Sequence, residues 1–99
     1  MFSVRLHEVS GEVLVAACDS EILGCVLDEG LGFRVNEKFY GGDVVDGDSL
    51  LEKMESASIV NMIGNRVVDL ALKKKLVSNR NVIKVGGVKH AQIVSMKKG

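Results

Sequence analysis

Proline does not occur among the 99 residues, so nothing marks a rigid linker between domains. Aromatic side chains are scarce, three Phe and one Tyr, which makes each a core candidate before anything else. The longest unbroken apolar run, residues 13–18, falls far below the roughly 20 residues of a membrane span. The first residues set Arg5, His7 and Glu8 among their apolar positions, unlike a secretory leader. A cytoplasmic protein without membrane association is the expectation, and in that setting Cys18 and Cys25 read as free thiols. Internal repeats and low-complexity tracts are missing as well.

What is present has the balance of a globular chain, 46% hydrophobic and 26% charged. A chain of this length has room for one domain, residues 1–99, and hides roughly two-thirds of its unfolded surface. The net charge of zero conceals an asymmetry. Residues 1–49 hold three basic and ten acidic side chains, residues 50–99 ten basic and three acidic, so the halves carry −7 and +7. One domain built from both halves is polarised unless its strands interleave. Pairing of these charges within the fold is the plainest outcome; a basic face for nucleic acid and a head-to-tail contact between copies are the others.

The rest of the chain is organised around residues 58–76, SIVNMIGNRVVDLALKKKL. Ile59, Val60, Asn61, Met62 and Ile63 form a mostly apolar run stopped by Gly64, which reads as a buried strand. Ile59, Met62 and Ile63 also satisfy helical spacing, so helix is the rival. Beyond Gly64 the period lengthens: Val67, Leu70 and Ala71, with Leu76 after them, share one face, and Arg66, Asp69, Lys73 and Lys74 the other. Asn65 is the N-cap candidate of this amphipathic helix, and Lys73, Lys74 and Lys75 suit the negative end of its dipole. Strand, tight turn and helix would gather N–H groups at Gly64, Asn65 and Arg66, a place able to hold an anion.

Before this stretch, Phe2–Val9 alternates, Ser10 and Gly11 turn, and residues 13–18 read as a central strand, so the chain opens with an antiparallel hairpin. Asp19 is placed to cap a single turn over residues 20–23, with Gly24 as its left-handed exit. Residues 25–27 read as extended, 28–32 as loop, 33–39 as an edge strand broken by FYGG, and 43–48 as an acidic loop. A helix follows from a cap at Asp48 or Ser49 to Ala57. After residue 76 come a polar linker, a strand over 82–85, a glycine turn, a last strand over 88–96 and a frayed end at 97–99. The predicted fold is α+β: a small single domain with a mixed sheet, an N-terminal antiparallel hairpin, two main helices and one βαβ crossover.

Five short motifs, LHEV at 6–9, AACDSEILG at 16–24, FYGG at 39–42, VNMIGNRVV at 60–68 and KHAQIV at 89–94, give the chain a family resemblance. In this order they resemble an archaeal family catalogued as domain of unknown function 424, over almost the whole length. That family's pattern often has proline before the histidine of the last motif, where this chain has Lys89. The resemblance implies an archaeal cytoplasmic protein, a family without an established activity, and an association with RNA or translation. No catalytic residues come with it.

The residues themselves offer several candidate surfaces. His90 and Gln92 alternate onto one face of the last strand, where imidazole and amide suit a phosphate, a base edge or a small ligand, unless His90 only satisfies a backbone carbonyl. With Asn61, Gly64, Asn65 and Arg66 they form the anion- or ligand-binding set. Neither GxGxxG nor GxxxxGK[ST] occurs, so no cofactor is expected. Tyr40 as a stacking platform, with Lys73, Lys74, Lys75, Lys84 and Lys89 on phosphates, forms the nucleic-acid set. Cys18 would be a reactive thiol only if His7 or His90 reached it, and an inert buried thiol is the favoured reading. Cys18, Cys25, His7 and His90 lack zinc-knuckle spacing, and Asp43, Asp46 and Asp48 lack the EF-hand pattern, so no metal is expected. Three readings follow: a non-catalytic binding module for RNA or a ribonucleoprotein, a protein-interaction subunit or homo-oligomer held by its opposed halves, and an enzyme using Cys18 and His90 on a small molecule.

Overall fold

The computed structural model describes residues 1–94. Strands β1 (Phe2–Val9) and β2 (Glu12–Asp19) form the expected antiparallel hairpin in continuous register from Phe2 opposite Asp19 to Val9 opposite Glu12. A 3-10 turn, Ser20–Ile22, leads to a separate two-stranded ribbon of β3 (Val26–Asp28) and β4 (Phe33–Arg34), then to helix α1 (Glu37–Tyr40). Strand β5 (Asp43–Val45), helix α2 (Gly47–Glu55), strand β6 (Ile59–Ile63) and helix α3 (Asn65–Lys73) follow. A 3-10 turn at Asn79–Asn81 and the hairpin of β7 (Val82–Val85) and β8 (Val88–Val94) complete the described chain. The main sheet has six strands in the order β5-β1-β2-β6-β8-β7. The expected α+β domain with a mixed sheet is present.

The strand-to-helix switch falls at Gly64 as the change of period predicts. The crossover is a split one. Strands β6 and β7 both run antiparallel to β8, so they are parallel to each other with β8 between them. The directly paired parallel strands are β2 and β6, from Leu14 opposite Ile59 to Cys18 opposite Ile63. Alternation gives the sheet two faces. Phe2, Val4, Val15, Ala17, Val60, Met62 and Ala91 turn toward α2 and α3, whose Leu50, Met54, Val67, Val68 and Ala71 close the main core. Ala16, Cys18 and Ile63 turn the other way and are roofed by Val35 and Tyr40.

Several expectations fail for identifiable reasons. The edge strand expected over 33–39 ends at Arg34, because the Asn36 side chain accepts from the N–H groups of Lys38 and Phe39 and starts a helical turn. The acidic loop over 43–48 contains β5, whose Asp43, Val44 and Val45 find backbone partners on the open side of β1. Helix α2 is capped by Asp46, which accepts from Ser49 N–H at 2.9 Å, and not by Asp48 or Ser49. Helix α3 has Gly64 at its N-cap; Asn65 lies inside the first turn, where its side chain accepts from Lys89 N–H. Leu76 does not join the apolar face of α3 and is 41% exposed. Asp19 makes no cap bond to its own turn. Ser95 and Met96, expected in the last strand, and the end expected to fray at 97–99 lie outside the described residues.

The two charged halves do not interleave. Strands β5, β1 and β2 come from the acidic half and β6, β8 and β7 from the basic half, so the sheet is divided along the β2/β6 boundary. Among the described residues the ion pairs crossing that boundary are those of Arg66 with Asp19 and Glu21; Lys89 pairs with Asp69 of its own half.

Candidate functional site

Parallel pairing of β2 and β6 brings their carboxyl ends side by side, which places Asp19 next to Gly64 and the start of α3. In open α/β sheets such a crevice commonly receives a ligand. Here the chain fills it itself. The buried Asp19 carboxylate accepts from Arg66 N–H at 3.0 Å and from Val67 N–H at 2.8 Å, taking the donors expected to hold an external anion. Gly64 N–H donates to the Lys89 carbonyl, and the Asn65 amide is bound to Lys89 N–H. The Arg66 guanidinium is occupied too: Nε and Nη2 donate to the Glu21 carboxylate, Nη2 also reaches the Met1 carbonyl, and its carbon lies 4.9 Å from the Phe2 ring centre. These bonds hold the Glu21 carboxyl down to about 2 and push Arg66 upward. The predicted anion cradle at Gly64, Asn65 and Arg66 is an internal helix cap.

The nucleophile reading fails on geometry. Cys18 is fully buried, and burial followed by the nearby charges of Asp19 and Glu21 pushes its thiol up to about 12. His90 is no partner for it. Ile63 stands between them in register, opposite Cys18 on one side and His90 on the other, so they lie two strands, about 10 Å, apart. Iodoacetamide at neutral pH should therefore modify the exposed Cys25 and leave Cys18 intact in the folded protein; peptide mass spectrometry that finds Cys18 labelled as fast as Cys25 would contradict the burial.

Other candidates do meet. On the face away from α2 and α3, Ser3, Arg5 and His7 of β1 reach the three carbonyls at the end of α1, groups that a helix end leaves unpaired. Ser3 Oγ donates to Tyr40 O and Arg5 Nη1 to Gly41 O, both at 2.9 Å, and His7 Nε2 donates to Phe39 O at 2.8 Å. Held this way, Tyr40 donates its hydroxyl proton to Asn61 Oδ1 at 2.6 Å. His90 Nε2 donates to the same oxygen at 3.2 Å. Burial lowers the imidazole's affinity for a second proton and raises the Tyr40 phenol to about 12, so both stay neutral donors near pH 7. Gln92 stands opposite Asn61 in register and is exposed. Tyr40, Asn61, His90 and Gln92 thus form one cluster.

Tyr40 is only 5% exposed, which corrects its role as a stacking platform. The accessible aromatic pair is His7 and Phe39, stacked with ring centres 4.9 Å apart. The lysines lie elsewhere. Lys89 reaches across to Asp69 of α3, at 2.7 Å, and Lys84 is its register partner on β7, so both belong to the helix side of the sheet. Lys73, Lys74 and Lys75 are exposed at the end of α3, where Lys74 lines a shallow groove with Leu51, Glu55 and Leu76. The predicted sets are therefore regrouped: Tyr40 joins Asn61, His90 and Gln92 on the face away from α2 and α3, while Gly64, Asn65 and Arg66 stay with α3 on the side of the lysines.

The family model described as Protein of unknown function (DUF424) matches residues 7–96. The chain belongs to this family. A DUF424 chain is thus the owner of the Asp19 cap and the Tyr40–Asn61–His90 cluster. A solved structure, described as an uncharacterized conserved protein from Methanopyrus kandleri, is 23% identical with a TM-score of 0.82, covering 99% of this chain and 96% of that one. It shares the fold. No curated protein matches. Among the described residues of this DUF424 member, no helix is long and apolar enough to cross a membrane.

Asp19 and His7 are the residues whose roles sequence reasoning missed. The signal for Asp19 was an acidic residue ending one strand beside a glycine ending another, but it becomes readable only once the two strands are known to be parallel neighbours.

Proposed function

We propose that the protein is a non-catalytic RNA-binding module acting in the cytoplasm, with phosphate contacts supplied by the basic half of the domain. The supporting observation is the division of the sheet at β2/β6, which leaves Lys73, Lys74, Lys75 and Lys84 exposed on one side without ion-pair partners among the described residues. Fluorescence anisotropy with short single-stranded and structured RNAs tests it. Four phosphate contacts on a single strand predict a slope of log K against log salt of about −3. Replacing Lys73, Lys74 and Lys75 together by Ala should weaken binding by about tenfold or more and flatten that slope. Absence of binding at low ionic strength would remove this reading.

Opposite charge at the two open sheet edges, Asp43 on β5 and Lys84 on β7, favours a second reading, head-to-tail association of copies. Light scattering across concentration separates the two: assembly at low salt that dissolves at high salt supports association, and a monomer throughout rejects it.

A further inference from the structure

The sheet face opposite the lysines carries a recognition surface of different chemistry. We propose that the side chains around Asn61 bind an unpaired nucleobase, presented by a single strand of RNA or by a free nucleotide. This goes beyond the phosphate-binding reading and does not rest on it, since none of the lysines named there lies on this face.

Asn61 occupies the middle of β6, a strand with neighbours on both sides, between the apolar Ile59 and Ile63. An amide in that position is costly unless it is hydrogen-bonded. Its oxygen receives two donors, Tyr40 Oη–H and His90 Nε2–H, which fixes the orientation of the group. The NH2 end is then directed away from both and has no partner among the described residues, in a side chain that is only partly buried. The same bond fixes the His90 tautomer and leaves Nδ1 with a free lone pair. Gln92, exposed and in register with Asn61, adds a further donor and acceptor. Two adjacent amides and a neutral imidazole thus form an array of mixed donors and acceptors on one sheet face.

Alongside this polar array runs an apolar row. Leu14, Ile59 and Val94 are in register across β2, β6 and β8; Leu14 and Ile59 are half-buried, and Val94 is 58% exposed. His7 is opposite Leu14 and carries the stacked Phe39 ring. Leu14 packs against the small core of this face, and the row from it to Val94 passes from half-buried to open apolar surface. An apolar row that ends at a stacked imidazole and phenyl ring, bordered by amides, matches a ligand with two hydrophobic faces and a polar edge. Unpaired bases are read in this manner, by stacking on aromatic or imidazole rings and by hydrogen bonds to their edges; the free amide of Gln92 suits the adjacent donor and acceptor of adenine, and the Asn61 NH2 adds one donor beside it.

The test is a nitrogen-15 NMR titration of the full chain with the four nucleoside monophosphates and with single-stranded pentanucleotides of each base. The Asn61 and Gln92 side-chain amides and the His90 backbone amide should shift, most with adenine. Response to mononucleotides identifies a free-nucleotide site, and response to pentanucleotides alone identifies a base within a strand. Gln92→Ala, at an exposed position, should weaken the interaction about fivefold while keeping the spectrum of the folded protein, and Asn61→Ala should weaken it by tenfold or more. Replacement of Lys73, Lys74 and Lys75 should leave the mononucleotide shifts unchanged, so failure of the lysine surface and failure of this site are separable. If no base moves these resonances, or if the shifts persist unaltered in both variants, the proposal is overturned.

Discussion

Gly64→Ala is expected to remove at least about 3 kcal/mol of stability, read as a lowered midpoint in urea unfolding followed by far-ultraviolet circular dichroism. Two independent effects add. Gly64 has φ +134° and ψ +141°, a region that residues with a side chain enter only at a cost of about 1–3 kcal/mol. A Cβ built there also falls 2.6 Å from Cγ and Oδ1 of Asp19 and 3.0 Å from its backbone nitrogen. The carboxylate is the nearest thing able to yield, and yielding takes it off the N–H groups of Arg66 and Val67. Against a total of about 5–15 kcal/mol for an ordinary domain, this is a large fraction. An alanine variant with an unchanged midpoint would show that the glycine conformation is not required.

Asp19→Ala should cost about 2–4 kcal/mol in the same assay, more than an exposed helix cap, because the two donors it abandons sit at the closed end of the sheet. Asp46→Ala supplies the comparison. Asp46 caps α2 at an exposed position through a single bond to Ser49 N–H, and its loss should cost about 1 kcal/mol. Asp19→Asn keeps one acceptor and should fall between the two. Because Gly64 and Asp19 contact one another, their effects should not add: in the Asp19→Ala background, Gly64→Ala should cost at least about 1 kcal/mol less than it does alone. Equal costs for Asp19→Ala and Asp46→Ala would mean that burial contributes nothing to the cap.

Most of the local structure is legible in the sequence because it depends on neighbours along the chain. The alternation of Phe2, Val4 and Leu6, the glycine pair before Val88 and the change of period at Gly64 each announce an element that is present. Two failures are local, the helix caps at Asn36 and Asp46, and the larger ones are tertiary. Strand β5 exists because β1 has an unpaired side to offer, which the residues Asp43, Val44 and Val45 do not reveal. The anion cradle has the right backbone donors, but the tenant comes from 47 residues upstream. Of the candidate site, Asn61, His90, Gln92 and Tyr40 do cluster, and the same-face placement of His90 and Gln92 follows from alternation alone. That Tyr40 would be buried, reaching Asn61 across the small Ala16, depends on how α1 is pinned to β1.

The sheet order also governs how the chain reaches this state. Each outer hairpin, β1 with β2 and β7 with β8, joins strands separated by a two-residue turn and closes quickly, while β2 can meet β6 only after the stretch from 20 to 58 has been looped out. The seam between the acidic and basic halves therefore carries a larger loop-closure cost than either hairpin, and the opposite charges of the two halves favour the approach that closes it.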